Sequence, residues 1–109
     1  GKLAMADCSS SADAREAARL GCAVLGSTMS GYLGASVPTE PDFTLVQAAA
    51  EFGKFVVAEG RYNRPELAVK AIKAGADAVV VGSAITRPEH ITSWFAQDIH
   101  DAKAQGSDS

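Results

Sequence analysis

Little in this sequence points away from an ordinary soluble domain, and each shortage removes a class of function. Cysteine is scarce: Cys8 and Cys22 form no Cys-x-x-Cys pair and have no histidine nearby. That argues against a zinc site or a disulfide framework and for reduced, semi-buried thiols, so no metal is expected. No apolar run reaches ~18 residues, and the N-terminus shows no basic region followed by an apolar core and cleavage site, so the expected compartment is the cytoplasm, with no membrane partner. Charge is also modest. A net charge of -3 gives no electrostatic reason to expect nucleic acid, although an anionic small molecule can still bind at a locally positive spot. The two histidines, His90 and His100, fall in the last predicted helix and away from strand ends. They are read as solvated or capping side chains.

What is present is a chain of 109 residues, 47% hydrophobic and 21% charged, which fits one globular domain or part of one. Strands are predicted at 3–7, 23–28, 55–59 and 78–83, and helices at 11–20, 42–52, 65–74 and 88–103. Strict alternation of strand and helix predicts a parallel sheet covered by helices. The apolar strands read as fully buried. Ser10 with Asp13, Thr39 with Asp42, Asn63 with Glu66, and Thr86 with Glu89 each pair a capping residue with an acid three positions on. Such pairs mark helix starts. Gly21, Gly53 and Gly75 mark helix ends.

The domain is therefore read as residues 1–104, four βα units, followed by a tail at 105–109 of disordered composition. One irregular stretch, Ser30 to Pro38, has the glycines of a mobile loop and is a candidate lid. Trp94 and Phe95 are expected to pack the last helix onto the barrel.

Polar groups gather where strands end. Phe55-Val56-Val57-Ala58-Glu59-Gly60-Arg61 closes the third strand and Val79-Val80-Val81-Gly82-Ser83 the fourth. In α/β barrels the carboxyl ends of strands carry the active site. Gly82 and Ser83 precede a helix, so their backbone N–H groups are candidates to hold an anion. Gly60 permits close approach, and Arg61 or Arg87 is a candidate bidentate donor to phosphate. Tight turns and surface arginines are the competing explanation.

Four motifs in order, Met5-Ala6-Asp7-Cys8-Ser9, Gly26-Ser27-Thr28-Met29-Ser30-Gly31-Tyr32, Ala58-Glu59-Gly60-Arg61-Tyr62 and Val81-Gly82-Ser83-Ala84-Ile85-Thr86-Arg87, resemble the N-acylmannosamine-6-phosphate 2-epimerase family. The resemblance implies a (β/α)8 barrel that interconverts N-acetylmannosamine 6-phosphate and N-acetylglucosamine 6-phosphate in sialic-acid catabolism, without metal or organic cofactor. It covers only the C-terminal half, strands five to eight. The family's catalytic lysine falls in the other half, and Lys54, which precedes its strand, does not match it.

By the same resemblance Glu59 is the catalytic glutamate in proton transfer; the competing role is a carboxylate that fixes a loop. Asp7, Thr28, Ser30 and Gly31 are candidates to line the sugar pocket, with capping or loop roles as alternatives. Tyr32 and Tyr62 are partial lids or packing groups. Four parallel strands leave two unpaired edges and an apolar inner face. The chain is thus expected to pair with an N-terminal half-barrel chain or to self-assemble. The alternatives are a catalytically silent phosphosugar-binding or assembly module and a different phosphate-binding barrel enzyme.

Overall fold

The computed structural model describes residues 1–31 and 38–107. The elements run β1 (Met5–Asp7), α1 (Ser11–Arg19), β2 (Val24–Gly26), α2 (Phe43–Ala50), β3 (Phe55–Glu59), α3 (Pro65–Ala74), β4 (Ala78–Val80), α4 (Ser83–Thr86) and α5 (Pro88–Ser107). All three strand pairs are parallel, and the sheet order is β1-β2-β3-β4. A doubly wound sheet reverses its strand order partway, whereas a barrel adds each strand beside the last. The unreversed order is that of successive βα units in the wall of a barrel, as the resemblance implies.

β3 and α3 lie where the sequence places them, and the other strands are shorter than predicted. β4 stops at Val80, and Ser83 begins the one-turn helix α4. Three of the four expected caps are corrected. Ser10 does cap α1, its Oγ accepting from the Asp13 N–H at 3.2 Å. At α2 the cap is Asp42 instead of Thr39, with Oδ1 accepting from the Leu45 N–H at 2.9 Å. At α3 the cap position is Arg64, which makes no side-chain capping bond. Its extended backbone follows from standing before Pro65, since proline pushes the preceding residue out of the helical region. Thr86 ends α4 and donates its hydroxyl to the Gly82 carbonyl at 3.1 Å.

The strands are not buried on both faces. In β3 the helix-side residues Val56 and Ala58 are buried, while Phe55 on the other face is 50% exposed. Register carries this alternation across the sheet: Phe55 lies level with Val24 and Met5, and Glu59 with Val80. Met5 at 48% and Val80 at 42% are exposed on the same inner face. The apolar runs read as fully buried, but burial of both faces needs a closed barrel, which these four strands do not form. Here the core lies between sheet and helices, built on Leu25, Val46 and Val56 with Leu45, Leu67, Ala58 and Ala71.

Gly75 closes α3 with φ +119°, and a Cβ there would stand 2.6 Å from that of Ala50. Only glycine permits both the left-handed turn and the close approach of α2 to α3.

α5 departs most from expectation. It continues over residues 105–107, past the boundary drawn at 104. Its main neighbour is the one-turn α4, and the molecule measures 59 × 26 × 25 Å. Phe95 does not pack onto the sheet: it is 68% exposed, and Ile99 is also exposed. Trp94 is half-buried and turns toward the strand ends. Ile91, Trp94, Phe95 and Ile99 repeat at helical spacing, so α5 carries an apolar stripe. No helix among the described residues is long and apolar enough to cross a membrane.

Candidate active site

A cavity of about 880 Å³ opens at the carboxyl ends of β3 and β4. Glu59, Gly60, Arg61, Val80, Gly82 and Ser83 line it, with Thr28 from the β2 end and Trp94 from α5. The two strand ends that the sequence singles out thus face one space.

Glu59 is held at both backbone and side chain. β2 ends at Gly26, and beyond it the Ser27 side chain continues the link to β3. Its Oγ accepts from the Glu59 N–H at 3.0 Å and donates to the Glu59 carbonyl at 2.9 Å. The Ser27 N–H in turn donates to the Val57 carbonyl at 3.1 Å. Thr28 Oγ1 donates to Glu59 Oε2. Ser27 is absent from the residues singled out by sequence, because cross-strand register has no local signature.

Arg61 stands in a left-handed conformation, φ +67°, directly after Gly60 at φ +109°. This double turn swings the guanidinium back over the rim. Nε donates to the Glu40 carbonyl at 2.6 Å and Nη1 to the Ser30 carbonyl at 2.8 Å. Arg61 therefore lines the cavity while fastening the two ends of the β2–α2 connection. The lid expected at 30–38 falls largely on residues 32–37, Tyr32 among them, which lie outside the described residues.

Other sequence candidates are placed elsewhere. Ser30 is buried and donates its hydroxyl to Asp42 Oδ2, the carboxylate that caps α2. Gly31 packs against Pro38 and the Arg61 guanidinium. Arg87 is exposed and paired with Glu89 at 2.6 Å, which holds the Glu89 carboxyl below the usual range. Asp7 ends β1 on the inner face, level with Gly26 and exposed, two strands away from Glu59. None of these four is among the residues lining the cavity.

Tyr62 is 5% exposed and meets the Phe43 ring edge-on, with centroids 6.1 Å apart. It belongs to the packing and not to a lid. Burial, and then the Asp42 carboxylate, push its phenol up to about 12. Its hydroxyl has no hydrogen-bond partner among the described residues. No cluster of His, Cys, Asp or Glu among the described residues could hold a metal. Burial, then the Asp13 carboxylate, raise the Cys8 thiol above its ordinary range, and both cysteines are free.

A family profile described as "Putative N-acetylmannosamine-6-phosphate epimerase" matches residues 1–101. A protein of Actinobacillus pleuropneumoniae serotype 5b, named as a 2-epimerase of that sugar phosphate, is 57% identical over 94% of this chain and 45% of its own length. The Brucella melitensis bifunctional enzyme NanE/NanK is 54% identical over 98% of this chain and 21% of its own. Among solved structures, the N-acetylmannosamine-6-phosphate 2-epimerase from Clostridium perfringens superposes with a TM-score of 0.82 and 41% identity, covering 89% of this chain and 43% of that one. The chain thus spans less than half the length of the relatives it matches.

Proposed function

The chain belongs to the N-acetylmannosamine-6-phosphate epimerase family, and from that premise we propose that it supplies the C-terminal half of an enzyme interconverting N-acetylmannosamine 6-phosphate and N-acetylglucosamine 6-phosphate. The observation that carries the proposal is the shared cavity of Glu59, Gly60, Gly82 and Ser83 at one rim of a parallel half-barrel.

In the open-chain sugar the C1 aldehyde acidifies the C2 proton. A base removes that proton, the electron pair of the broken C–H bond passes into the carbonyl as an enolate, and reprotonation on the other face inverts C2. Glu59, which lines the cavity, is assigned to take or return the proton. The phosphate is assigned to the N–H groups of Gly82 and Ser83 with Gly60 alongside, as phosphate sites of barrels follow the last two strands. Arg61 is kept as a phosphate-side residue only in a secondary sense, since its guanidinium already serves two carbonyls. Asp7, Ser30 and Gly31, which do not line the cavity, are assigned to shaping the sugar side indirectly, and Arg87 to a role outside the cavity.

The inner face with Met5, Phe55 and Val80 exposed, two open sheet edges among the described residues and the stripe on α5 support an assembled working form. We assign the partner surface to four further βα units or a second copy. A cytoplasmic setting belongs to the same proposal, since a charged sugar phosphate does not enter a bilayer. No lysine is among the described residues lining the cavity. That favours a second reading for the isolated chain: it binds the sugar phosphate without turnover.

The test is a chimera in which this chain replaces the matching second half of the Clostridium perfringens enzyme, with C2 epimerisation followed by NMR. An active chimera that loses about 10²- to 10⁴-fold in rate on Glu59→Gln supports the proposal. An active chimera indifferent to Glu59→Gln removes Glu59 from the reaction. Calorimetry of the isolated chain with the sugar phosphate checks the second reading.

A further inference from the structure

We propose that Thr28 is a positioning residue: its hydroxyl occupies Glu59 Oε2 and so fixes the side chain, leaving Oε1 to exchange a proton with substrate. The inference rests on the reading of Glu59 as the proton-transfer group. It changes the role of Thr28 from sugar ligand to support.

The observations converge from three directions. Register places Gly26 beside Val57, so the two residues after Gly26 run alongside Glu59. Ser27 fixes the Glu59 backbone through its hydroxyl from both sides, which removes rigid-body play at the end of β3. Thr28 then holds the remaining freedom, the side-chain torsions, through the bond to Oε2. Without such a contact a glutamate samples many rotamers, and proton transfer requires reacting atoms within a narrow range of distance and angle. Threonine suits this task because branching at Cβ restricts its own torsion, giving a stiff donor where serine would be looser.

The nearest cation along the chain, Arg61, directs Nε and Nη1 to the Glu40 and Ser30 carbonyls. The Thr28 hydroxyl has one proton, and it points at Glu59. Toward a sugar it offers only lone pairs.

Steady-state kinetics of the active Clostridium chimera separates the roles. Thr28→Val keeps shape and removes the donor; it is expected to lower kcat about 10- to 100-fold with KM within about twofold, whereas Thr28→Ser retains most of the rate. In a Glu59→Gln background Thr28→Val should add no further loss, because the group it positions is already gone. A raised KM with unchanged kcat, or no effect of Thr28→Val, overturns the inference while the role of Glu59 stands. Full activity of Glu59→Gln overturns the role of Glu59 itself. Circular dichroism confirms folding, and if the valine variant fails to fold, Thr28→Ala is read by the same criteria.

Discussion

The body from β1 to α3 builds a buried core, although Met5 and Phe55 on its inner face stay exposed, whereas the arm formed by α4 and α5 has no buried residue among those described. Leu25, Val46 and Val56 in the body are at most 1% exposed, while Ile85, Phe95 and Ile99 in the arm are 72%, 68% and 55% exposed. The difference is one of partners and not of composition. Each helix of the body lies over a sheet and beside another helix, whereas α5 finds chiefly the single turn of α4. Helical shape alone gives little stability when the apolar stripe stays wet. A barrel half can thus hold its centre while its last helix waits for a surface.

The sharpest way to test that contrast is truncation on each side of it. Leu25→Ala is expected to destabilise by about 2–5 kcal/mol, measured by urea denaturation at fixed protein concentration. Phe95→Ala in the same assay should change stability by less than about 0.5 kcal/mol in the chain alone. In the completed barrel its cost should rise toward about 3 kcal/mol. Equal losses from the two truncations in the isolated chain would erase the distinction. Gly75→Ala comes next, at about 1–3 kcal/mol, because it combines a left-handed turn with the contact to Ala50.

Asp42→Ala probes the rim of the body, where one carboxylate caps α2 and receives the Ser30 hydroxyl. A loss of about 1 kcal/mol is expected, or up to about 2 with the Ser30 bond counted. Tyr62→Phe is the smallest change. Removing a buried hydroxyl with no partner among the described residues should leave thermal stability within about 0.5 kcal/mol of the parent or raise it, and a loss above about 1 kcal/mol would reveal a hydrogen bond after all.

The fold was legible because its signals are local. β3 and α3 match expectation to the residue, since an apolar run ending in Glu-Gly and a proline-started helix ending in glycine each define their own limits. The caps at Thr39 and Asn63 were misplaced by nearby competition. Asp42 is an equally good acceptor three residues on, and Pro65 makes its predecessor the cap whatever its side chain. That Glu59, Gly60, Arg61, Gly82 and Ser83 gather around one cavity is legible from the positions of strand ends. Ser27, Trp94 and the carbonyl contacts of Arg61 are not. They depend on register between strands, on the path of α5 and on a loop folding back, none of which leaves a mark within a short window of sequence.

The grip of Arg61 on the Ser30 and Glu40 carbonyls works as a splint across the chain between them. With both ends tethered to one planar group, the length of the intervening stretch enters stability only logarithmically, about 0.6 kcal/mol per doubling. Lengthening the chain between them is therefore expected to leave the strand ends and α2 in place, which the thermal stability of an insertion variant checks. Arg61→Lys, which offers no rigid fork, would convert the same insertions into displacement of the rim.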